Sequence, residues 1–193
     1  MFGKIYLKGI AVAEFQALID VIKERSYRRG KFKLASGAES EFYFNLKPTM
    51  MAPKGAYLSA QALLTRIRSE MVDYIGGLEM GAVPVIACVA ALSHQDGGPV
   101  STFFVRKKAK DHGTQDLVEG LALGESLSGS HVMIVDDVAT SGGSIIKAAD
   151  VARAAGAIVE TALVIVDREE GATEALAVAG IRLLSALKKS DFL

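Results

Sequence analysis

Two adjacent carboxylates, Asp136 and Asp137, directly follow the apolar run V-M-I-V that begins at Val132. Three of those four apolar residues are β-branched, which predicts a short buried strand. Vicinal carboxylates at the end of a strand suit the paired hydroxyl groups of a ribose, bound directly or through a metal ion. Asp136 and Asp137 are therefore candidate sugar ligands and candidate metal ligands, the metal being held directly or through water.

A run of small residues, T-S-G-G-S, extends from Thr140 to Ser144 and leads into a helical pattern. At a junction of strand, loop and helix, backbone N–H groups point outward with a partial positive charge. Gly142 and Gly143 lack the Cβ atoms that would keep a ligand away. We therefore expect this loop to bind a phosphate, although it matches neither the Walker loop nor G-x-G-x-x-G. The alternative is an ordinary turn between a strand and a helix.

A basic loop follows the apolar residues F-F-V that end at Val105. Five cationic or potentially cationic side chains occur there within seven residues, in a chain of zero net charge. They are Arg106, Lys107, Lys108, Lys110 and His112. A solvated surface loop is the alternative, but the loop leaves the same edge of the predicted sheet as the phosphate site. We therefore favour a lid that grips an anion and neutralises a leaving group. His112, beside Asp111, is a candidate proton donor.

Two more strand ends carry candidate ligands. Residues 76–82, G-G-L-E-M-G-A, form a glycine-rich turn that is either a common connector or a second anion site, for example for pyrophosphate. Arg168 follows the apolar strand that ends at Asp167. Its guanidinium group is suited to bind a carboxylate in bidentate fashion, or alternatively forms ion pairs with Glu169 and Glu170.

The composition limits the other classes of function. The 193 residues suit a single domain, with no linker, repeat or low-complexity segment. Lys plus Arg and Asp plus Glu number 22 each, so no global field attracts nucleic acid or an anionic membrane. Cys88 is the single cysteine, which fits a reducing compartment, and no apolar run approaches a membrane span. We therefore expect a cytoplasmic protein.

Strands alternate with helices along the chain, which predicts an α/β fold with a mostly parallel twisted sheet flanked by helices. The predicted helices are 14–28, 57–71, 82–92, 144–155 and 173–179, and the predicted strands are 74–78, 100–105, 132–135, 158–166 and 181–184. A hairpin is predicted over residues 32–46. Ligands of such sheets bind at the carboxyl ends of the strands, where Asp136 lies.

The motifs together resemble a known family. Residues 132–144 resemble the phosphoribosyl-pyrophosphate (PRPP) motif of type I phosphoribosyltransferases, and R-K-x-x-K-D-H-G at residues 106–113 resembles the catalytic loop of their orotate branch. The segments F-K-L-A-S-G, F-Y-F-N and V-D-R-E-E-G occur in the same order. The resemblance spans about residue 30 to residue 193.

The resemblance implies a reaction: N1 of orotate displaces pyrophosphate from PRPP with the help of Mg²⁺, giving orotidine 5′-monophosphate in pyrimidine biosynthesis. It implies a catalytic group of Lys107, Lys110, Asp111 and His112, and orotate contacts from Tyr43, Phe44, Thr140 and Arg168. The implied PRPP ligands are Arg106, Lys107, Lys110, His112, Asp136, Asp137, Val138, Ala139, Thr140, Ser141, Gly142, Gly143 and Ser144. It also implies a homodimer sharing the basic loop, and a base-binding hood made of residues 1–50 and the C-terminal tail.

The chain departs from the family pattern at two positions. Many members carry a Lys where this chain has Ala35, and others carry one near Met80. The loss removes two cations from the site unless Lys33, Lys47 or Lys108 compensates, and it leaves the efficiency and the choice of base open. The rival interpretations are a phosphoribosyltransferase acting on a purine or on uracil, and a sensor that binds PRPP without turnover.

Overall fold

The computed structural model describes residues 10–33, 39–108 and 116–193. The helices are α1 (Ile10–Arg25), α2 (Lys47–Met50), α3 (Pro53–Ile67), α4 (Val83–Gln95), α5 (Gly143–Ala154), α6 (Ala172–Val178) and a 3₁₀ helix (Lys189–Phe192). The strands are β1 (Tyr27–Lys33), β2 (Glu39–Phe44), β3 (Tyr74–Leu78), β4 (Ser101–Val105), β5 (Val118–Glu119), β6 (His131–Ala139), β7 (Ile158–Asp167) and β8 (Arg182–Lys188).

Six of these strands form one twisted sheet in the order β5-β4-β3-β6-β7-β8. All neighbouring pairs are parallel except β4 with β5, which is antiparallel. The predicted α/β class and the mostly parallel sheet are therefore confirmed. Because β3, β4, β6 and β7 run in the same direction, the loops that follow them all leave one edge of the sheet.

Helices cover both faces of the sheet, and successive side chains of β6 pack alternately on one face and on the other. Met133 and Val135 belong to the apolar cluster that includes residues of α1, α3 and α4. Val132 and Ile134 belong to the cluster that includes residues of α5 and α6. This alternation, with a period of two residues, makes β6 a fully buried central strand and fixes the direction in which its last residues point.

The strand that carries the acidic pair is longer than predicted. Asp136 and Asp137 lie inside β6 rather than after it, because β7 continues the parallel ladder as far as Asp167. The pairing joins Asp136 to Val164 and Ala139 to Asp167. The two carboxylates are consequently held by a hydrogen-bonded strand and not by a free loop.

The prediction for the first helix was wrong at its end. The expected helix continued to Arg28, but α1 ends at Arg25 and Tyr27 already begins β1. The Tyr27 ring stacks on Phe42, with centroids 6.0 Å apart, and packs on Phe192 at 5.7 Å. These contacts come from residues distant in sequence and override the local helical pattern.

The predicted hairpin is confirmed, because β1 pairs antiparallel with β2 in a separate two-stranded sheet. The turn was predicted at residues 36–40; residues 36–38 lie outside the described residues, and Glu39 and Ser40 already belong to β2. Most other elements agree to within a few residues, although β8 runs to Lys188 and not to residue 184. None of the helices in the described ranges is both long and apolar enough to cross a membrane.

Candidate active site

The acidic pair lies at the centre of the carboxyl edge of the sheet. Asp136 is 5% exposed, and its Oδ2 accepts a 2.6 Å hydrogen bond from the Ser144 hydroxyl group of α5. Its Oδ1 accepts a 2.9 Å hydrogen bond from the Asp137 backbone N–H. Burial and then the charge of Asp137 raise the pKa of Asp136 to about 7, against the opposing effect of Ser144. Near neutral pH the pair therefore readily holds one proton, and a bound cation favours its loss.

The phosphate loop predicted after this pair has the expected geometry. Gly142 precedes α5 in the left-handed region, with φ of 81°, a conformation that favours glycine. A Cβ atom there would lie 3.2 Å from Leu176 Cγ. Within the described residues no side chain caps the N-terminus of α5, and its first turn has no acidic residue. Its first N–H groups thus have no capping carboxylate and can bind an external anion.

The glycine-rich turn between β3 and α4 packs directly on the acidic pair. A Cβ atom on Gly81 would collide with Asp136 Oδ1 and would lie 3.0 Å from Asp137 Oδ1. Only a glycine allows this approach. The turn predicted as a second anion site is therefore next to the predicted ribose ligands.

The basic loop begins at the same edge, beside this turn. Arg106 has its side chain 32% exposed, with Nη1 lying 3.7 Å from Glu119 Oε1, and its Nε donates to the Lys108 carbonyl oxygen. Lys107 and Lys108 are exposed. Lys110, Asp111 and His112 lie outside the described residues, so their predicted roles stay predictions.

The predicted base ligands surround one cavity of about 250 Å³. It is lined by Tyr43, Phe44, Asn45, Lys47, Asp137, Val138, Thr140 and Arg168. All four predicted orotate residues are in this list, together with one member of the acidic pair. The cavity thus lies between the two-stranded sheet and the carboxyl edge of the large sheet. Sequence reasoning missed Asn45, although its position directly after the aromatic run 42–44 was an available signal. Lys47 was considered as a cation that compensates for the lysines absent at positions 35 and 80, and it lines the cavity.

Arg168 is 4% exposed and is held from several sides. Its Nη2 lies 3.1 Å from Glu170 Oε1, and the guanidinium carbon lies 6.0 Å from the centre of the Phe44 ring. Its backbone N–H donates to the Ala139 carbonyl oxygen at 2.9 Å, which ties it to the end of β6. The ion pair with Glu170 confirms the alternative interpretation of Arg168. Arg168 also lines the cavity, and its binding of a carboxylate there stays a prediction.

The donor set of a metal site at the acidic pair would consist of two adjacent carboxylates. No group of three or more His, Cys, Asp or Glu side chains in the described ranges could hold a metal ion. Two adjacent carboxylates nevertheless fit Mg²⁺, which is commonly bound through one or two carboxylates, water and the oxygens of a phosphorylated substrate.

Comparisons with known proteins agree with this geometry. The model of the phosphoribosyl transferase domain family matches residues 52–180. A protein named orotate phosphoribosyltransferase from Rhodopseudomonas palustris strain TIE-1 is 54% identical over 176 residues, which cover 91% of this chain and 94% of that protein. The crystal structure of orotate phosphoribosyltransferase from Mycobacterium tuberculosis H37Rv in complex with Fe(III) dicitrate has a TM-score of 0.79 and 30% identity, covering 93% of this chain and 98% of that one. The same enzyme in complex with PRPP gives a TM-score of 0.76 at 27% identity, with the same coverage.

Proposed function

The chain belongs to the phosphoribosyltransferase family, and we propose that it transfers the 5-phosphoribosyl group of PRPP to N1 of orotate. The products are orotidine 5′-monophosphate and pyrophosphate, as in the synthesis of pyrimidine nucleotides. One observation carries the choice of orotate: a buried arginine, Arg168, lines a cavity that also reaches Asp137 and Thr140. This pyrimidine differs from uracil by a carboxylate, and a guanidinium group binds carboxylates in bidentate fashion.

The base would lie in the cavity between the aromatic residues and the sheet edge. Tyr43 and Phe44 would border the ring, and Thr140 would contact it beside the ribose. Phe44 is buried and Tyr43 is 42% exposed, so the ring would contact one buried and one exposed aromatic side chain. This arrangement supports a planar ligand of the size of a pyrimidine.

The sugar and its 5′-phosphate would bind at β6 and at the N-terminus of α5. Asp136 and Asp137 suit the ribose hydroxyl groups, and residues 140–144 suit the phosphate. As the bond at C1 breaks, positive charge develops on the ribose ring, and the acidic pair favours that charge. The hydrogen bond from Ser144 to Asp136 couples the phosphate loop to the sugar ligands.

Negative charge develops on the departing pyrophosphate, at the side of the glycine-rich turn. The cations proposed to neutralise it are Arg106, Lys107, Lys110 and His112, with Asp111 beside the histidine. Mg²⁺ held by Asp136 and Asp137, directly or through water, would supply further charge neutralisation when it is bound. No covalent nucleophile is needed for this displacement.

Three further features belong to the same proposal. The enzyme is a homodimer in which the basic loop serves the neighbouring subunit. Residues 1–50 and the C-terminal tail form a hood over the base, which the packing of Phe192 on Tyr27 and Phe44 supports. A cytoplasmic location stays a prediction from the cysteine count and composition.

The direct test is to follow orotate consumption by ultraviolet absorbance with PRPP and Mg²⁺. Adenine, hypoxanthine and uracil at equal concentration are run in parallel. Turnover confined to orotate is expected. Turnover with another base but not orotate would overturn the role of Arg168 and keep the phosphate loop. Binding of PRPP with no turnover of any base would favour a sensor.

A further inference from the structure

We propose that Glu79 is a positioning residue for Lys107, and that Lys147 completes the same contact from the opposite side. The proposal rests on the proposed function, in which Lys107 contacts the pyrophosphate of PRPP. Glu79 lies in the glycine-rich turn, and Lys147 lies in the second turn of α5.

The turn is anchored to the end of β4 by two contacts of a single residue. The Glu79 backbone N–H donates to the Val105 carbonyl oxygen at 2.9 Å. Its side chain continues past the end of the strand, and Oε1 accepts the backbone N–H of Lys107 at 2.8 Å. Glu79 therefore extends the ladder between β3 and β4 by one further hydrogen bond, made by a side chain where the strand pairing has stopped.

A second side chain holds the other peptide group of Lys107. Lys147 Nζ donates to the Lys107 carbonyl oxygen at 3.2 Å. The N–H and the C=O of one residue belong to two different peptide planes, on either side of its Cα atom. When both planes are held, the φ and ψ angles of Lys107 are restricted, and so is the direction in which its side chain leaves the backbone.

The position of this contact relates it to the reaction. The turn that carries Glu79 also carries Gly81, which packs on Asp136 and Asp137. The helix that carries Lys147 begins at the phosphate loop. The backbone of Lys107 is thus held relative to both the proposed ribose ligands and the proposed phosphate ligands. An exposed lysine directed at a leaving group is effective only if its position is set in advance.

Glu79 acts here as a hydrogen-bond acceptor, since its partner is a neutral N–H group. A glutamine side chain has a carbonyl oxygen at the same position and can accept the same bond. Glu79→Gln therefore preserves the contact without its charge, whereas Glu79→Ala removes it. Glu125 offers a matched control, because its Oε2 accepts the Ala122 N–H at 2.8 Å in a different loop.

The experiment compares Glu79→Ala, Glu79→Gln and Glu125→Ala with the wild-type protein by steady-state kinetics. For Glu79→Ala we expect kcat/KM for PRPP to fall by about tenfold to a hundredfold, because misplacing a reacting group has an effect of this size. We expect Glu79→Gln and Glu125→Ala to stay within about twofold, and KM for orotate to be unchanged in all three. Normal kinetics in Glu79→Ala, or an equal loss in Glu79→Gln, would overturn the proposal.

A second measurement does not depend on turnover. Exchange of the Lys107 amide hydrogen, followed by NMR in the whole protein, should be about tenfold faster in Glu79→Ala and unchanged in Glu79→Gln. An unchanged rate in Glu79→Ala would overturn the proposal even if the enzyme is active. If the wild-type protein fails to use orotate, the proposed function fails, but the exchange experiment still tests the contact.

Discussion

Two neighbouring junctions at the carboxyl edge of the sheet have similar backbones but differ in their charged side chains. The strands β6 and β7 pair in parallel, and each leads into a helix preceded by a glycine in the left-handed region. The φ angle is 81° at Gly142, before α5, and 96° at Gly171, before α6. The backbone conformation alone therefore does not distinguish a phosphate site from a turn without a ligand.

The side chains make the difference. The first turn of α5 has no acidic residue, and small residues precede it. The junction before α6 contains Asp167, Glu169 and Glu170, which are satisfied within the protein. Asp167 accepts the Glu169 N–H, Glu169 accepts the Ser190 N–H, and Glu170 pairs with Arg168 and with Lys189.

Under the proposed function, this difference would let one edge of the sheet recognise both a phosphate and a carboxylate. The junction before α5 is open to an anion because no carboxylate of the chain occupies it. At the junction before α6, the carboxylates accept hydrogen bonds from nearby backbone N–H groups, and one of them pairs with the buried Arg168. The hydrogen bond from the Arg168 N–H to Ala139 joins the two junctions at a fixed separation. The proposed product, orotidine 5′-monophosphate, has a phosphate at one end and a carboxylate at the other, and it suits these two junctions.

The largest effect is expected when the first junction is made to resemble the second. Gly143→Asp places a carboxylate in the first turn of α5, where a Cβ atom would approach only Ser141 Oγ, at 3.9 Å. Affinity for PRPP should fall by a hundredfold or more, on the order of 3 kcal/mol, because a bound phosphate would be repelled. Stability should be unchanged or higher by up to about 0.5 kcal/mol, since an acidic residue favours a helix N-terminus.

The measurements for this variant are KM for PRPP and the midpoint of thermal unfolding. Gly143→Asn is the control, with nearly the same shape and no charge. Equal PRPP affinity in Gly143→Asp and the wild type would show that the N-terminus of α5 does not bind the phosphate.

The second prediction removes the arginine from the other junction. Arg168→Ala should lower kcat/KM for orotate by about a hundredfold, the size expected for loss of a buried charged hydrogen bond. The dissociation constant of PRPP, measured by calorimetry, should change by less than about twofold. Arg182→Ala is the control, because Arg182 pairs with Glu70 at the opposite edge of the sheet. A comparable loss of PRPP affinity would mean that the two junctions are not separate.

The sequence predicted the first junction better than the second, for a physical reason. The apolar run, the two carboxylates and the glycines around Asp136 are local signals, and each depends on near neighbours along the chain. The cavity wall at Arg168 needs β2, which lies more than a hundred residues away, and the contribution of Asn45 to that wall was not predicted. The hydrogen bonds that join Glu79 and Lys147 to Lys107 link positions 28 and 40 residues apart, and no periodic pattern in the sequence predicts them.

The end of α1 at Arg25 was missed because Tyr27 packs on residues remote in sequence.

The third prediction concerns stability and pH at the first junction. The pKa of Asp136 is about 7 in the folded protein, above its ordinary value of 3.8. The folded state therefore binds more protons than the unfolded state between these values, and stability falls as pH rises through this window. Between pH 5 and pH 7 the loss should be about 2 kcal/mol in metal-free protein, measured by urea unfolding. Asp136→Asn should remove most of this slope, and an equal slope in both proteins would contradict the assignment.

The smallest effects are expected from replacing the glycine that precedes each helix, Gly142 before α5 and Gly171 before α6. Both Gly142→Ala and Gly171→Ala put a Cβ atom on a residue with positive φ, which should destabilise each protein by about 1 kcal/mol. The two positions differ in the room around the new Cβ atom. At Gly142 this atom would lie 3.2 Å from Leu176 Cγ, whereas at Gly171 it would have no neighbour within 4 Å. Gly142→Ala should therefore unfold at a lower urea concentration than Gly171→Ala, and only Gly142→Ala should raise KM for PRPP. If both variants raise that KM equally, the second junction also contacts the phosphate, and the division of functions between the two junctions is wrong.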